Sequence, residues 1–501
     1  MPGEVLAVDA GTTGVTALVV DETGGVLGKG YREFPQSFPR PGWVEHDPDD
    51  WWAAMLFAIE AALGAAQVQP SSLAALGIAN QRETTILWDR QTLQPVHPAI
   101  VWQDRRTAPL CERLRQEGWE GLIRDRTGLV LDPYFSGTKL AWLLEHVPDA
   151  RQAAEAGRLA FGTVDSYLLT RMTGGAAHAT DRTNASRTML YDINRLDWDE
   201  EILDRLGIPT AVLPGVMTSS GTFGLTDPDR LLGARVPISG IAGDQQAALF
   251  GQACFEAGAT KNTYGTGSFV LMNTGDRPAR SSSGLITTIA CGPNGGPAYA
   301  LEGSIFITGA AVQWLRDGLE VLGATSEAGP LASSVPDSGG VYFVPALTGL
   351  GAPWWDPYAR GVIVGITRGT TRAHLVRAAI DAMAYQTRDV VEAMRSDAGI
   401  PLTELKADGG ASAMDVLMQF QSDLLGVPVR RPRVQETTAL GAAYLAGLGE
   451  GVWSSTDEVA GHWREDRTFH PRQDPQIEAG YRWWRRAVER ALDWAEPEAT
   501  D

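Results

Sequence analysis

A chain of 501 residues with 44% hydrophobic content and 56 glycines is long enough for two or more folded domains with many tight turns. Its net charge of −19 excludes sequence-independent nucleic-acid binding, which needs a dense cationic surface, yet leaves room for an anionic nucleotide in a local pocket. With no apolar run of about 18 residues and no secretion signal, and with three widely spaced cysteines (Cys111, Cys254, Cys291) that suit neither zinc nor a disulfide framework, the expectation is a cytoplasmic chain without membrane insertion.

In chain order, Val5–Val8 reads as a strand, Asp9–Gly14 as a turn rich in Gly and Thr, and Val15–Val20 as a second strand. Asp21–Gly25 turns the chain back into Val26 and Leu27. The aromatic-rich stretch Tyr31–Trp52 is interrupted by Pro and Gly and reads as an ordered loop, as does Val341–Tyr358. Leu73–Ala79 predicts a strand that ends near Asn80, and Val236–Ala242 another that leads through Gly243–Gln246 into the helix-like Ala247–Gly251. Thr260–Tyr264, Gly265–Gly267 and Ser268–Asn273 repeat the first hairpin's pattern, which predicts two related halves. Strands at Val341–Pro345 and Leu405–Asp408 and a helix over Ala413–Leu425 follow, with a frayed polar tail at Glu496–Asp501. The expectation is an α/β chain of two domains, 1–252 and 253–501, flanking a cleft.

The sequence holds no Walker loop, no Gly-x-Gly-x-x-Gly opening a helix, no His-Glu-x-x-His and no Gly-x-Ser-x-Gly. P-loop kinases, simple dinucleotide dehydrogenases, zincins and α/β-hydrolases are thereby set aside. What remains is a different phosphate device. In Asp9–Gly14 small residues let the backbone approach an anion, and the amides and hydroxyls of Thr12 and Thr13 can donate to phosphate oxygens. Asp9 could hold Mg²⁺ directly or through its waters. A plain hairpin uses the same residues, but Gly265–Gly267 and the turn Asp408–Ser412 before a helix offer the same chemistry twice more. Three such turns over two halves favour a nucleotide clamp.

The run Asn80–Thr85 places Arg82 beside Glu83. On a regular strand they would face opposite ways, so joint service to one ligand requires that the strand has ended. A guanidinium donor beside a carboxylate acceptor matches a polyol, whose hydroxyls do both; a surface ion pair is the alternative. Trp102 and Tyr134 are candidate walls for such a ligand, or core rings. Asp244 stands at the tip of an apolar strand, where it could serve as a base or simply cap the next helix.

Taken together, Arg40–Pro48, Asn80–Thr85, Ile100–Thr107, Thr180–Leu190, Gly240–Leu249, Asn262–Gly267, Leu347–Pro353 and Thr438–Leu445 resemble the FGGY carbohydrate kinases over nearly the whole chain. The pairing of Asn80–Thr85 with Gly243–Gln246 is similar to those members that phosphorylate glycerol to sn-glycerol 3-phosphate. The resemblance implies an actin/hexokinase-like (ribonuclease H-like) ATPase core in each half, with the glycerol site and phosphate hairpin in 1–252 and nucleotide binding in 253–501. It implies that Arg82, Glu83, Tyr134, Asp244 and Gln245 bind glycerol while Trp102 and Phe269 flank its carbons. Asp244 then resembles the general base, and Asp9 with Asp244 the partners of Mg²⁺. Thr12, Thr13 and Gly14 match ATP/ADP contacts from the first half, and Thr266, Gly309, Gln313, Gly410 and Met414 match those from the second. Gly14, Thr16 and Met414 stand where many members carry Ser, Arg and Asn. A homodimer or homotetramer is expected. A kinase for another small polyol or ketose, and a non-catalytic nucleotide switch on the same fold, are the alternatives.

Overall fold

The computed structural model describes residues 3–231, 233–292 and 296–495, so the expected tail at Glu496–Asp501 lies outside the described residues. Two mixed sheets carry the architecture. In the first, Val5–Ala10 (β1) turns into Gly14–Val20 (β2), with Asp9 paired opposite Thr16, and Val26–Glu33 (β3) extends the meander. Ala75–Asn80 (β4) joins β1 in parallel, Ser220–Leu225 (β5) forms the edge, and Pro237–Gly243 (β6) lies between them. All of β4 is buried, as expected of a central parallel strand covered on both faces.

The second sheet starts with the hairpin Thr260–Tyr264 (β7) and Ser268–Gly275 (β8), followed by Ile286–Cys291 (β9) and Pro297–Ile305 (β10). Leu405–Asp408 (β11), Val429–Pro432 (β12) and Glu465–Phe469 (β13) complete it. The first sheet runs β3-β2-β1-β4-β6-β5 and the second β10-β8-β7-β11-β12-β13, with β9 added beyond β10. Every corresponding pair has the same sense, parallel or antiparallel. The expected pair of related, actin/hexokinase-like α/β halves is therefore present in the strand pairing itself.

Helices cover these sheets. Pro48–Ala66 (α1) replaces the later part of the loop expected over Tyr31–Trp52: Asp47 accepts from the Asp49 amide and Pro48 occupies the first turn, a helix start the aromatic content obscured. It approaches β3 closely because a Cβ at Gly28 or Gly30 would lie 2.2 or 2.0 Å from the carbonyls of Ala62 and Ala58. Asp244–Gly251 (α2) follows β6 directly, and Gly309–Asp317 (α3) follows β10 after a short turn. The long Arg372–Ala398 (α4) and Asp415–Leu425 (α5) pack in the second core. Thr437–Gly449 (α6) instead crosses back onto the first sheet, where Ala439, Ala442 and Ala443 share a buried cluster with Val5, Ala79 and Ala242. No helix among the described residues is long and apolar enough to cross a membrane.

Candidate active site

A buried polar cluster is built where β4 ends. Glu83 adopts φ +62°, a left-handed backbone that a non-glycine residue holds only when its surroundings compel it. Hydroxyls of Ser136 and Thr85 both donate to its carbonyl, each at 3.0 Å. This break in the strand is what lets adjacent Arg82 and Glu83 join one polar cluster.

Both side chains are buried, and the groups that balance them come from other segments. Arg82 donates through Nη1 and Nη2 to both oxygens of Glu302, and through Nη1 to Gln246 Oε1 at 3.3 Å. Its Nε lies 3.0 Å from Asp244 Oδ1. Arg187 donates Nε to Glu83 Oε1 at 2.5 Å and Nη2 to Glu302 Oε1 at 3.1 Å. Charges thus alternate along Asp244, Arg82, Glu302, Arg187 and Glu83. Burial would raise the Glu302 carboxyl, but Arg187 and Arg82 outweigh it and hold the group near 2. For Glu83 burial prevails over Arg187 and Arg82, and its carboxyl is raised. Three of the five Arg82 N–H hydrogens are spent on Glu302 and Gln246 and a fourth, on Nε, faces Asp244, so its free capacity is one hydrogen of Nη2.

Asp244 is the first residue of α2 rather than its cap; Gly243 holds the cap position. Its Oδ1 accepts the Gln245 amide at 2.7 Å, and the side chain keeps 26% exposure while Arg82 keeps 2%. Strand β6 fixes the backbone behind it. Gln245 is held in turn by the Lys261 ammonium from β7, which also donates to Thr263 Oγ1 at 2.9 Å. Burial pushes Lys261 down to about 8, against Asp408, Asp244 and Glu302, which favour its charged form.

The aromatic residues assemble around this cluster. Trp102 and Tyr134 meet edge to face with centroids 5.5 Å apart, the Arg82 guanidinium lies 5.8 Å from the Phe269 ring, and that of Arg187 lies 5.5 Å from Tyr134. Burial, then the nearby Glu83, raises the Tyr134 phenol, so it is a neutral donor and acceptor. The structure therefore brings Arg82, Glu83, Trp102, Tyr134, Asp244, Gln245 and Phe269 together.

The hairpin of β1 and β2 adjoins them: Trp102 Nε1 donates to Thr12 Oγ1 at 2.9 Å. Thr13 is exposed at the tip. A Cβ on Gly14 would come within 2.7 Å of the Arg32 carbonyl and 2.8 Å of the Tyr31 hydroxyl, so strand crowding explains that glycine. Asp9 Oδ1 is buried without a partner, and burial together with the neighbouring Asp244 raises its carboxyl to about 8. An orphaned hard oxygen beside a second carboxylate suits a cation such as Mg²⁺, which takes one or two carboxylates and keeps waters and phosphates as further ligands. No group of three or more acidic, His or Cys side chains that could hold a metal occurs among the described residues.

In the second half, the Gly265 and Thr266 carbonyls accept the amides of Gly309 and Ala310, each at 3.0 Å, so the hairpin tip is fastened to the N-terminus of α3. A Cβ on Gly309 would lie 2.5 Å from the Gly265 carbonyl. Gly409, at φ +82°, lays the next turn onto Tyr264, while a Cβ on Gly410 would meet only open space. Thr266, Gly309 and Gly410 thus share one end of the sheet, and Gln313 is exposed one turn along α3. Met414 packs against the second core beside Gly329, and Asp408 is occupied by Gln252 and Thr437, each at 2.6 Å. Arg187, Glu302 and Lys261 had no role assigned from sequence. A lone carboxylate inside the apolar strand Pro297–Ile305 was the one available signal for Glu302.

A model of the N-terminal domain of the FGGY family of carbohydrate kinases matches residues 4–251, and one of its C-terminal domain matches residues 260–450. Glycerol kinase 2 of Thermotoga maritima is 57% identical over 491 residues, spanning 98% of this chain and 99% of that protein. Glycerol kinase of Symbiobacterium thermophilum is 58% identical over 494 residues, with coverage of 98% and 99%. The crystal structure of Plasmodium falciparum glycerol kinase with ADP aligns at a TM-score of 0.90 and 37% identity, covering 98% of each chain.

Proposed function

The chain belongs to the FGGY family of carbohydrate kinases, and from that premise we propose that it transfers the terminal phosphoryl group of ATP to glycerol. The observation that carries the reaction is Asp244: a carboxylate on a fixed strand-to-helix junction, ion-paired with Arg82 and still partly exposed. Phosphoryl transfer asks the protein for positioning and charge neutralisation more than for covalent help. Arg82 and the Gln245 amide both engage Oδ1, which orients the carboxylate to take a proton from a terminal hydroxyl as that oxygen attacks phosphorus. Glu83, Tyr134 and the one remaining Nη2 hydrogen of Arg82 are the partners for the other hydroxyls, and Trp102 and Phe269 flank the carbons. Glycerol has few atoms to bind by, so selectivity rests on satisfying each hydroxyl; one left facing an unpaired buried partner loses roughly 1–3 kcal/mol.

The nucleotide lies between the two hairpins in this reading. Thr12, Thr13 and Gly14 line its phosphates from one side, and Thr266, Gly309, Gln313, Gly410 and Met414 contact it from the other. The fastening of Gly265 and Thr266 to α3 supports a preformed cradle. Asp9, with Asp244 beside it, would hold Mg²⁺, and the ion would supply charge neutralisation at the phosphates. The three free, buried cysteines support a reducing compartment such as the cytoplasm. A homodimer or homotetramer is proposed, and light scattering decides between them.

Coupled ADP release across glycerol, dihydroxyacetone, erythritol and xylulose tests the acceptor. Glycerol is expected to give the highest kcat/KM; a clear preference for the pentulose overturns the assignment.

A further inference from the structure

The five-membered ionic chain has its centre in the wrong half for a simple acceptor site. Asp244, Arg82, Arg187 and Glu83 all come from residues before 252, whereas Glu302 comes from β10 of the second sheet. Glu302 is fully buried, and so is Arg187. Its Oε1 accepts from Arg82 Nη2 and Arg187 Nη2, each at 3.1 Å, while Oε2 pairs with Arg82 Nη1. Each arginine in turn holds one acceptor-side carboxylate: Arg82 faces Asp244 at 3.0 Å and Arg187 binds Glu83 at 2.5 Å. Gln246, from α2, is also engaged by Arg82 and reaches across to Thr288 and Ile289 on β9. Removing the central carboxylate would leave two buried guanidinium groups facing each other, with their orientation no longer set from β10.

We propose that Glu302 is a positioning residue for the acceptor site: a carboxylate of the second half that sets the two arginines through which Asp244 and Glu83 are aimed at the substrate. It touches neither nucleotide nor acceptor itself. The consequence is that acceptor geometry is complete only when the two sheets are seated against each other, because the clamp on one half is oriented by the other. The proposal rests on the glycerol-kinase reading above for the identity of the acceptor.

The chemistry of the side chain supplies the test. In Glu302→Gln the amide oxygen can still accept from both Nη2 groups, but the amide nitrogen meets Arg82 Nη1 donor to donor, so Arg82 loses its bidentate partner in a side chain of the same shape. Steady-state kinetics with glycerol and with ATP, and ADP binding by calorimetry, are measured on the full-length wild type and variant. A misaimed acceptor site lowers kcat/KM for glycerol by roughly 10- to 100-fold, while the Kd for ADP stays within about twofold. Glu302→Asp keeps the charge and shortens the reach, and is expected to show the same split if Glu302→Gln does not fold. Unchanged glycerol kinetics, equal weakening of glycerol and ADP, or failure of both variants to fold each overturns the proposal. A wild type that ignores glycerol but turns over another acceptor contradicts the functional reading instead, and the same variants are then read with that acceptor.

Discussion

The indole Nε1 of Trp102 donates to Thr12 Oγ1 at 2.9 Å, so a ring beside the Arg82–Glu83 cluster is bonded to the tip of the first hairpin. In the proposed reading the two substrates share a strut: what sets the Thr12 hydroxyl against a phosphate would also set the edge of the ring beside the acceptor carbons. Trp102→Phe keeps an aromatic wall and removes only the bond. One such bond is worth about 1 kcal/mol net, so kcat/KM for glycerol is expected to fall roughly fivefold. Trp102→Ala, which removes the wall as well, should cost clearly more. An unchanged Trp102→Phe beside an impaired Trp102→Ala would place the effect in the ring contact and not in the bond.

Lys261 gives a pH dependence with a definite sign. Burial lowers this lysine from an ordinary 10.5 to about 8, so between those two values the unfolded chain holds a proton that the folded chain has released. Its contribution to stability therefore rises with pH across that window and is flat below it. Other buried groups titrate in the same range, which makes the difference between wild type and Lys261→Met the informative quantity. Urea unfolding at several pH values should show the wild type gaining on the variant above about pH 8; a gap that narrows instead contradicts the assignment.

The crossing of α6 onto the first sheet depends on glycine. A Cβ at Gly441 would lie 1.8 Å from the Ala247 carbonyl, and one at Gly77 would lie 2.1 Å from the Ala442 carbonyl. Both neighbours are backbone atoms in packed elements and have little room to retreat. Gly441→Ala is expected to destabilise the protein by about 3 kcal/mol, seen as a lower thermal midpoint. Gly461→Ala, whose Cβ would meet nothing within 4 Å, is the matched control and should leave the midpoint nearly unchanged.

What could be read in advance follows from how local each signal is. The hairpins at Asp9–Gly14 and Gly265–Gly267 announce themselves because a tight turn and close approach to an anion both demand small residues at fixed spacing. The end of β4 was inferable from chemistry alone, since Arg82 and Glu83 cannot face one ligand from a regular strand. The start of α1 was equally local, yet the aromatic residues around Asp47 and Pro48 masked a capping pattern. Glu302, Arg187 and Lys261 are different. Their partners lie on other segments of the chain, 220 residues away for the Arg82–Glu302 pair, and no spacing within a segment encodes such a meeting. The Asp9–Asp244 proximity is of the same kind, visible only once β1 and β6 flank β4 in one sheet.

Asp244→Asn is the decisive substitution. The Asn amide oxygen can keep the contact with the Gln245 amide, so the junction stays in place while the carboxylate's basicity and its charge toward Arg82 and Asp9 are removed. The measurement is kcat for glycerol-dependent ADP release, with ADP affinity measured in parallel on the same preparation. Loss of a positioned general base is expected to lower kcat by about 10²- to 10⁴-fold, with ADP binding retained. A kcat within a few-fold of wild type would contradict the claim that Asp244 accepts the proton from the attacking hydroxyl.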